Sequence, residues 1–258
     1  MTLDERIVAL VTGSSRGIGR AIAMGLAARG ARVVVNNRQR EDEAAAALAA
    51  LPGDGHLSLR ADVSSGAECA RLVAEVEERC GGVDLLVNNA AIYEEHDPRA
   101  SDAEAWFATF QRTLAANLEG PARLSFEAVA RMRRSRGREG FGRGRIVNIS
   151  SRAAFRGEVS APGYAASKAG LNIFGQSLAQ ALAPDSIYVF TLAPGWVDTE
   201  MAFSLRGPDG PAILAQHPLG RVARAGEAAA AAVWLALEAP AAMTGAIVDL
   251  NGASYLRT

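Results

Sequence analysis

Lysine is almost absent. The 258-residue chain carries 27 basic side chains, and Lys168 alone among them is a lysine; the rest are arginine. Cysteine is nearly as scarce. Cys69 and Cys80 stand eleven apart with no second pair. That spacing builds neither a disulfide framework nor a zinc site, and it suits two packed thiols in a reducing cytoplasm. The three histidines, His56, His96 and His217, are far apart in sequence and form no ligand cluster, so no metal is expected. No apolar run approaches the roughly 20 residues of a membrane span. "MTLDERIVALVTG" runs straight into a short apolar strand, so no signal peptide is expected. Formal net charge is −1, which gives no bulk attraction to nucleic acid or anionic membrane.

What is present is a globular composition, 49% hydrophobic and 21% charged, in an alternating order. Apolar runs at Ile7–Val11, Arg32–Asn36, Leu57–Asp62, Leu85–Asn88, Arg145–Ile149, Ile187–Leu192 and Ile247–Leu250 read as strands. Most are continuously apolar, as strands covered on both faces are. Helical stripes lie between them: Ile18, Ile22 and Leu26 before Gly30, then Leu72, Val73, Val76 and Cys80, and an alanine-rich run from Glu227 to Leu237. Strand–helix alternation predicts right-handed crossovers and a parallel sheet. One stretch breaks the alternation. Arg131 to Arg145 holds seven arginines and four glycines and reads as a solvated, partly disordered insertion opposite any cofactor crevice.

The first strand leads into "TGSSRGIG", Thr12 to Gly19. Gly13, Gly17 and Gly19, with Ser15, Arg16 and Ile18 between them, let backbone N–H groups approach a pyrophosphate at a helix N-terminus. About 20 residues on, an NAD-binding chain places an acid on the ribose. Here Asn37 takes that position and Arg38 follows. Arg16 and Arg38, with no carboxylate, suit the 2′-phosphate of NADP(H) better than NAD(H). "ADV" brings Asp62 and Val63 to the end of the third strand, and "NNAA" brings Asn89 and Ala90 to the end of the fourth.

Tyr164 and Lys168 are spaced i, i+4 and share one helix face. An ammonium favours the phenolate and lowers the pKa of a neighbouring tyrosine. It is a compact charge that can also reach a sugar hydroxyl, which arginine's rigid fork cannot do from the same place. Ser151, thirteen residues upstream, offers a hydroxyl for a substrate carbonyl.

With "DLLVNNAA", "LAANLEGPA", "GRIVNISS", "YAASKAG", "LAPGWVDTEM" and "MTGAIVDLNGA" in order, the whole chain resembles the short-chain dehydrogenase/reductase family. Within it, the chain is most similar to 3-oxoacyl-carrier-protein reductases. The resemblance implies an α/β single-domain Rossmann fold over residues 1–258, with a seven-stranded parallel sheet and helices on both faces. It implies Tyr164 as general acid/base and Ser151 as the group orienting the carbonyl. Lys168 would bind the nicotinamide ribose and lower the tyrosine pKa, and Asn117 would support a water relay to it. Pro194, Gly195, Val197 and Thr199 would cover the nicotinamide. A homotetramer is implied too. The sequence departs from the family at Ala91, at Tyr188-Val189-Phe190, and at Asn251-Gly252-Ala253.

Residues 198–218, with two glycines and three prolines, read as a lid over the substrate. Tyr93, Phe155, Trp196 and Phe203 are the candidate pocket aromatics. The substrate expected is a small-molecule or carrier-linked carbonyl compound. A sugar or other secondary-alcohol dehydrogenase stands as the alternative, ahead of a non-catalytic NADP-binding sensor.

Overall fold

The structure, a computed structural model, describes residues 6–99 and 102–257. Its elements in chain order are β1 (Val8–Val11), α1 (Gly17–Ala28), β2 (Arg32–Asn37), α2 (Glu41–Ala49), β3 (Leu57–Arg60), α3 (Gly66–Cys80), β4 (Leu85–Asn88), α4 (Ala103–Leu114) and α5 (Gly120–Met132). Then follow β5 (Gly144–Ile149), α6 (Ala153–Arg156), α7 (Pro162–Leu182), β6 (Ile187–Pro194), β7 (Val197–Asp198), α8 (Gly210–Ala215), β8 (Ala223–Arg224), α9 (Ala225–Leu237) and β9 (Ile247–Leu250). One π-helical turn, Ala115–Glu119, joins α4 to α5.

Seven strands form one parallel sheet in the order β3-β2-β1-β4-β5-β6-β9. The seven predicted strands are these seven. Only their ends differ: β3 stops at Arg60, and β6 runs on to Pro194. β7 and β8, two residues each, pair beside the sheet; they carry no periodic signal long enough to read in sequence.

The sheet is covered on both faces. Ile22 and Leu26 of α1, Ala44 and Ala47 of α2, and Ala232 and Leu235 of α9 pack on one face. Leu72 and Val76 of α3, Leu124 and Met132 of α5, and Leu182 of α7 pack on the other. This is why β1 and β4 are buried at every position, and why their sequences do not alternate. Helix ends follow local chemistry. Ser65 and Asp102 cap α3 and α4 with side-chain oxygens, and Gly81 ends α3 in the left-handed region.

Chain order reverses between β1 and β4. In open parallel sheets the crevice beyond the strand C-termini at such a point is where ligands bind. The ends of β1, β2, β4, β5 and β6 all open there.

The arginine-rich stretch is not the disordered insertion expected. Arg138 and Gly142 form a bridge that closes a tight turn. Arg131 and Arg134 pair with Glu77, Arg133 with Asp185, and Arg138 with Asp84. Arg145 is 0% exposed. Its guanidinium lies over the rings of Phe141 and Phe190 and donates to the carbonyls of Gly140 and Phe141. The acids Glu77, Asp84 and Asp185 come from distant segments, so the sequence alone did not show the pairing. The stretch does sit at the N-terminal ends of the strands, away from the crevice: Arg143 N–H donates to Ser186 O just before β6.

Candidate active site

The glycine turn is built by contact. Gly13 and Gly17 have φ of 60° and 56°, which favours glycine. A Cβ on Gly13 would lie 2.9 Å from Ala90 Cα, and one on Gly19 would lie 2.5 Å from Gly13 O. Asn89 braces the turn, with Nδ2 donating to Thr12 O at 2.8 Å and to Gly13 O at 3.1 Å. Asn36 accepts from Gly13 N–H and ties β2 to the carbonyls of Leu59 and Ala61.

One cleft joins this turn to the Tyr164 helix. Gly13, Ser15, Arg16, Gly17, Ile18, Gly19, Asn37, Arg38, Asp62, Val63, Asn89 and Ala90 line one end. Ser151, Tyr164, Lys168, Pro194, Gly195, Val197 and Thr199 line the other, with Tyr93, Trp196 and Phe203. Phe155 is placed elsewhere. Its ring lies 4.5 Å beneath the Arg257 guanidinium, held by the C-terminal segment, and does not line the cleft.

Two side chains have partners that the sequence did not show. The Asp62 carboxylate accepts from Ser64 N–H and Oγ, closing its own turn, and lies 3.9 Å from Arg38. Asn117 is fully buried in the π-helical turn. Its Oδ1 accepts from Ile92 N–H at 2.8 Å, and its Nδ2 donates to Ile92 O and to Ser167 Oγ. The amide thus clamps the segment after β4 to the residue beside Lys168, and it does not contact the ammonium itself.

Tyr164 and Lys168 face the cleft from α7. Ser151 lines the same cleft, and its hydroxyl acts to lower the pKa of the Tyr164 phenol. Lys168 Nζ donates to Ile149 O at 2.8 Å and lies 5.8 Å from the Tyr164 ring centroid. Burial pulls the Lys168 ammonium down to about 8. Burial pushes the Tyr164 phenol up to about 12, against the opposing pull of the Ser151 hydroxyl. Burial, which disfavours the phenolate, is the largest influence on the tyrosine, and the spacing of Tyr164 and Lys168 in sequence does not reveal it.

Several cleft residues lay outside the sequence reading. Arg40 faces the same mouth as Arg16 and Arg38. Arg152, Arg156 and Glu158 line the end near Ser151. His96, buried beside Trp106 and Phe110, accepts from Gly163 N–H at Nε2 and hydrogen-bonds Glu94 O through Nδ1. It thereby holds the first turn of α7 under Tyr164. Its distance in sequence from Tyr164 hid this link.

The cleft fits a phosphorylated dinucleotide. The glycine turn leaves room where a Cβ on Gly13 or Gly19 would collide with backbone. Buried Asn37 Oδ1 has no hydrogen-bond partner at the cleft wall. Three arginines surround the position where an adenosine ribose falls beyond β2.

A phenol, a serine hydroxyl and a buried ammonium beyond a dinucleotide cradle define an oxidoreductase of carbonyl and hydroxyl groups. The chain belongs to the short-chain dehydrogenase/reductase family. A family model described as Enoyl-(Acyl carrier protein) reductase matches residues 13–252. The 3-oxoacyl-[acyl-carrier-protein] reductase FabG of Escherichia coli (strain K12) is 36% identical over 252 residues, covering 98% of each chain. The protein of the same name from Vibrio cholerae is 34% identical over 256 residues, covering 99% of this chain and 100% of that one. A short chain dehydrogenase from Burkholderia cenocepacia J2315, solved in complex with NADP, superposes with a TM-score of 0.86 at 31% identity, covering 98% and 99% of the two chains. Family and cleft together make this chain an NADP(H)-dependent oxidoreductase. Among the described residues, no helix is long and apolar enough to cross a membrane.

Proposed function

We propose that the protein reduces a ketone to a secondary alcohol, with Tyr164 as the proton donor and Ser151 holding the carbonyl oxygen. The observation that carries this reading is the meeting of Ser151, Tyr164 and Lys168 at one cleft, with Lys168 Nζ 5.8 Å from the Tyr164 ring centroid. NADPH, when bound, supplies the hydride. The Tyr164 phenol, protonated at neutral pH, gives its proton to the carbonyl oxygen as negative charge develops there. The Ser151 hydroxyl donates to the same oxygen. Lys168 binds ribose hydroxyls and returns a proton toward the tyrosine. Asn117 acts by position, fixing Ile92 and Ser167 around this group. The glycine turn holds the pyrophosphate, Arg16 and Arg38 hold the 2′-phosphate, and Pro194, Gly195, Val197 and Thr199 wall the nicotinamide. The chain works as one unit, with residues 198–218 as its lid.

The relatives named as 3-oxoacyl-[acyl-carrier-protein] reductases favour a 3-oxoacyl group as the substrate, carrier-linked or small. Exposed Phe107, Phe126 and Ile173 on α4, α5 and α7 support assembly into a homotetramer, and the two free thiols suit a cytoplasmic setting.

The test is NADPH oxidation with a ketone panel, wild type against Tyr164→Phe. The variant removes one hydroxyl and should bind NADPH normally. Its kcat should fall by roughly 10²–10⁴. Near-normal turnover would reject the assignment of Tyr164.

A further inference from the structure

Arg152 and Arg156 line the end of the cleft with Ser151, their guanidinium groups meet at Gln216 just outside its lining, and among the described residues no carboxylate is bonded to either. Arg152 follows Ser151 directly. Its N–H donates to Pro194 O at 2.8 Å, which fixes its backbone at the cleft wall. Its Nη1 donates to Ser254 Oγ at 2.7 Å and its Nη2 to Gln216 Oε1 at 3.1 Å. Arg156, one turn on, donates from Nη1 to the same Gln216 oxygen at 3.3 Å. So two cations share one neutral amide oxygen, supplied by the residue that ends α8 in the lid segment. Arg152 is buried, and desolvation together with the Arg156 charge lowers its pKa.

This arrangement is costly without an anion. A buried guanidinium with neutral partners keeps its desolvation penalty, and a second cation beside it adds repulsion. Each guanidinium carries five N–H donors. The bonds above use two of those on Arg152. Glu158 lines the same wall and feels both charges, yet it forms no ion pair with either; burial raises its pKa. Arg257, the next cation of the region, is already paired with Asp249 at 2.7 Å. The Gln216 oxygen therefore marks where an anionic oxygen would be held by both forks.

We propose that Arg152, Arg156 and Gln216 form an anion subsite, and that the substrate carries a carboxylate a short reach from its reacting carbonyl. The inference rests on the ketone-reductase reading above and narrows its substrate to oxo acids. A carboxylate oxygen would take the place of the Gln216 oxygen, and binding would thereby report to the lid.

The experiment uses the full chain with NADPH and oxo-hexanoates carrying the ketone at carbons 2 to 5, each beside its methyl ester. The acid at the best spacing should exceed its ester in kcat/KM by about tenfold, mainly through KM, as expected for one charge-assisted pair. The acid-to-ester ratio should fall toward one in Arg156→Gln and in Arg152→Gln. Arg156 is exposed, so its variant keeps the test alive if Arg152→Gln does not fold. Esters turned over as well as acids across the whole series would overturn the proposal and leave the reductase reading standing. So would an acid preference that survives Arg156→Gln. Tryptophan fluorescence of the NADP⁺ complex, titrated with hexanoate and methyl hexanoate, reads the subsite without turnover. Ester binding as tight as acid binding there also overturns it, whatever the turnover assay gives.

Discussion

Arg16 in the glycine turn and Glu200 in the lid segment form a salt bridge across the mouth of the cleft, 184 residues apart in the chain. Arg40 lies 4.0 Å from the same Glu200 oxygen. A carboxylate of the proposed lid thus sits beside Arg16 and Arg40, and a bound 2′-phosphate would compete with it for Arg16. Glu200→Gln should tighten NADPH binding by up to about fivefold, the worth of an exposed pair. It should change NADH binding less, because NADH brings no phosphate to the site. Equal effects on both cofactors, measured by fluorescence titration, would show that Glu200 does not compete at that position.

The opening lysine is predicted to be irreplaceable. Lys168 is 2% exposed and reaches Ile149 O with its terminal nitrogen. Lys168→Arg keeps the charge but places a longer planar fork in a full space. It should lose most turnover while the chain still folds cooperatively. Wild-type kcat in that variant would mean that charge alone suffices.

Stability should respond to alkaline pH in two opposite ways. Lys168 has a folded pKa of about 8, below its ordinary value, so between there and about 10.5 the unfolded chain binds more protons. Its contribution makes stability rise with pH across that window. Tyr164, pushed up to about 12, keeps its proton after the unfolded chain has lost it near 10. Its contribution makes stability fall from about pH 10 to 12. Cys69, raised to about 11 by burial, acts in the same falling direction above its ordinary value. Urea melts of Lys168→Met and Tyr164→Phe against wild type isolate each term. Lys168→Met should lose the rise, and Tyr164→Phe should lose its share of the fall. In turnover, kcat/KM should decline as pH passes about 8 and the ammonium is lost.

Ala253 stands where the family carries glycine, and it adopts φ 59°. An alanine in the left-handed region costs about 1–2 kcal/mol. Glycine would recover this, less its own unfolded-state entropy of about 0.5–1 kcal/mol. Ala253→Gly should therefore raise Tm by about 2 °C. A lower Tm would show that the Cβ makes a contact worth more than the strain.

The arginine-rich stretch should separate into two parts. Replacing Arg133, Arg134, Arg136 and Arg138 by serine should leave kcat/KM on a small ketone within about twofold, since exposed pairs are weak and the stretch lies at the opposite end of the sheet. Arg145→Ser should destabilise the fold strongly, because it empties a buried volume and strands the Gly140 and Phe141 carbonyls. A quartet variant that folds but fails on the small ketone would mean that this stretch communicates with the cleft.

The sequence by itself determined what local spacing controls. Continuous apolar runs named the seven strands, because a strand buried on both faces has no polar side to show. Three glycines after the first strand placed the phosphate turn, and a four-residue spacing put Tyr164 and Lys168 on one face. Tertiary structure decided whatever depends on partners far along the chain. It turned the Asn117 amide onto Ile92, moved Phe155 out of the cleft beneath Arg257, and set His96 under the start of α7. It raised the Tyr164 pKa by burial, since desolvation depends on enclosure by the whole fold and not on one neighbour. It also paired Arg16 with Glu200 and brought Arg152 and Arg156 to Gln216. Hydrogen bonds and charges act over a few ångströms in space, and only the crossovers of the sheet decide which distant residues come that close.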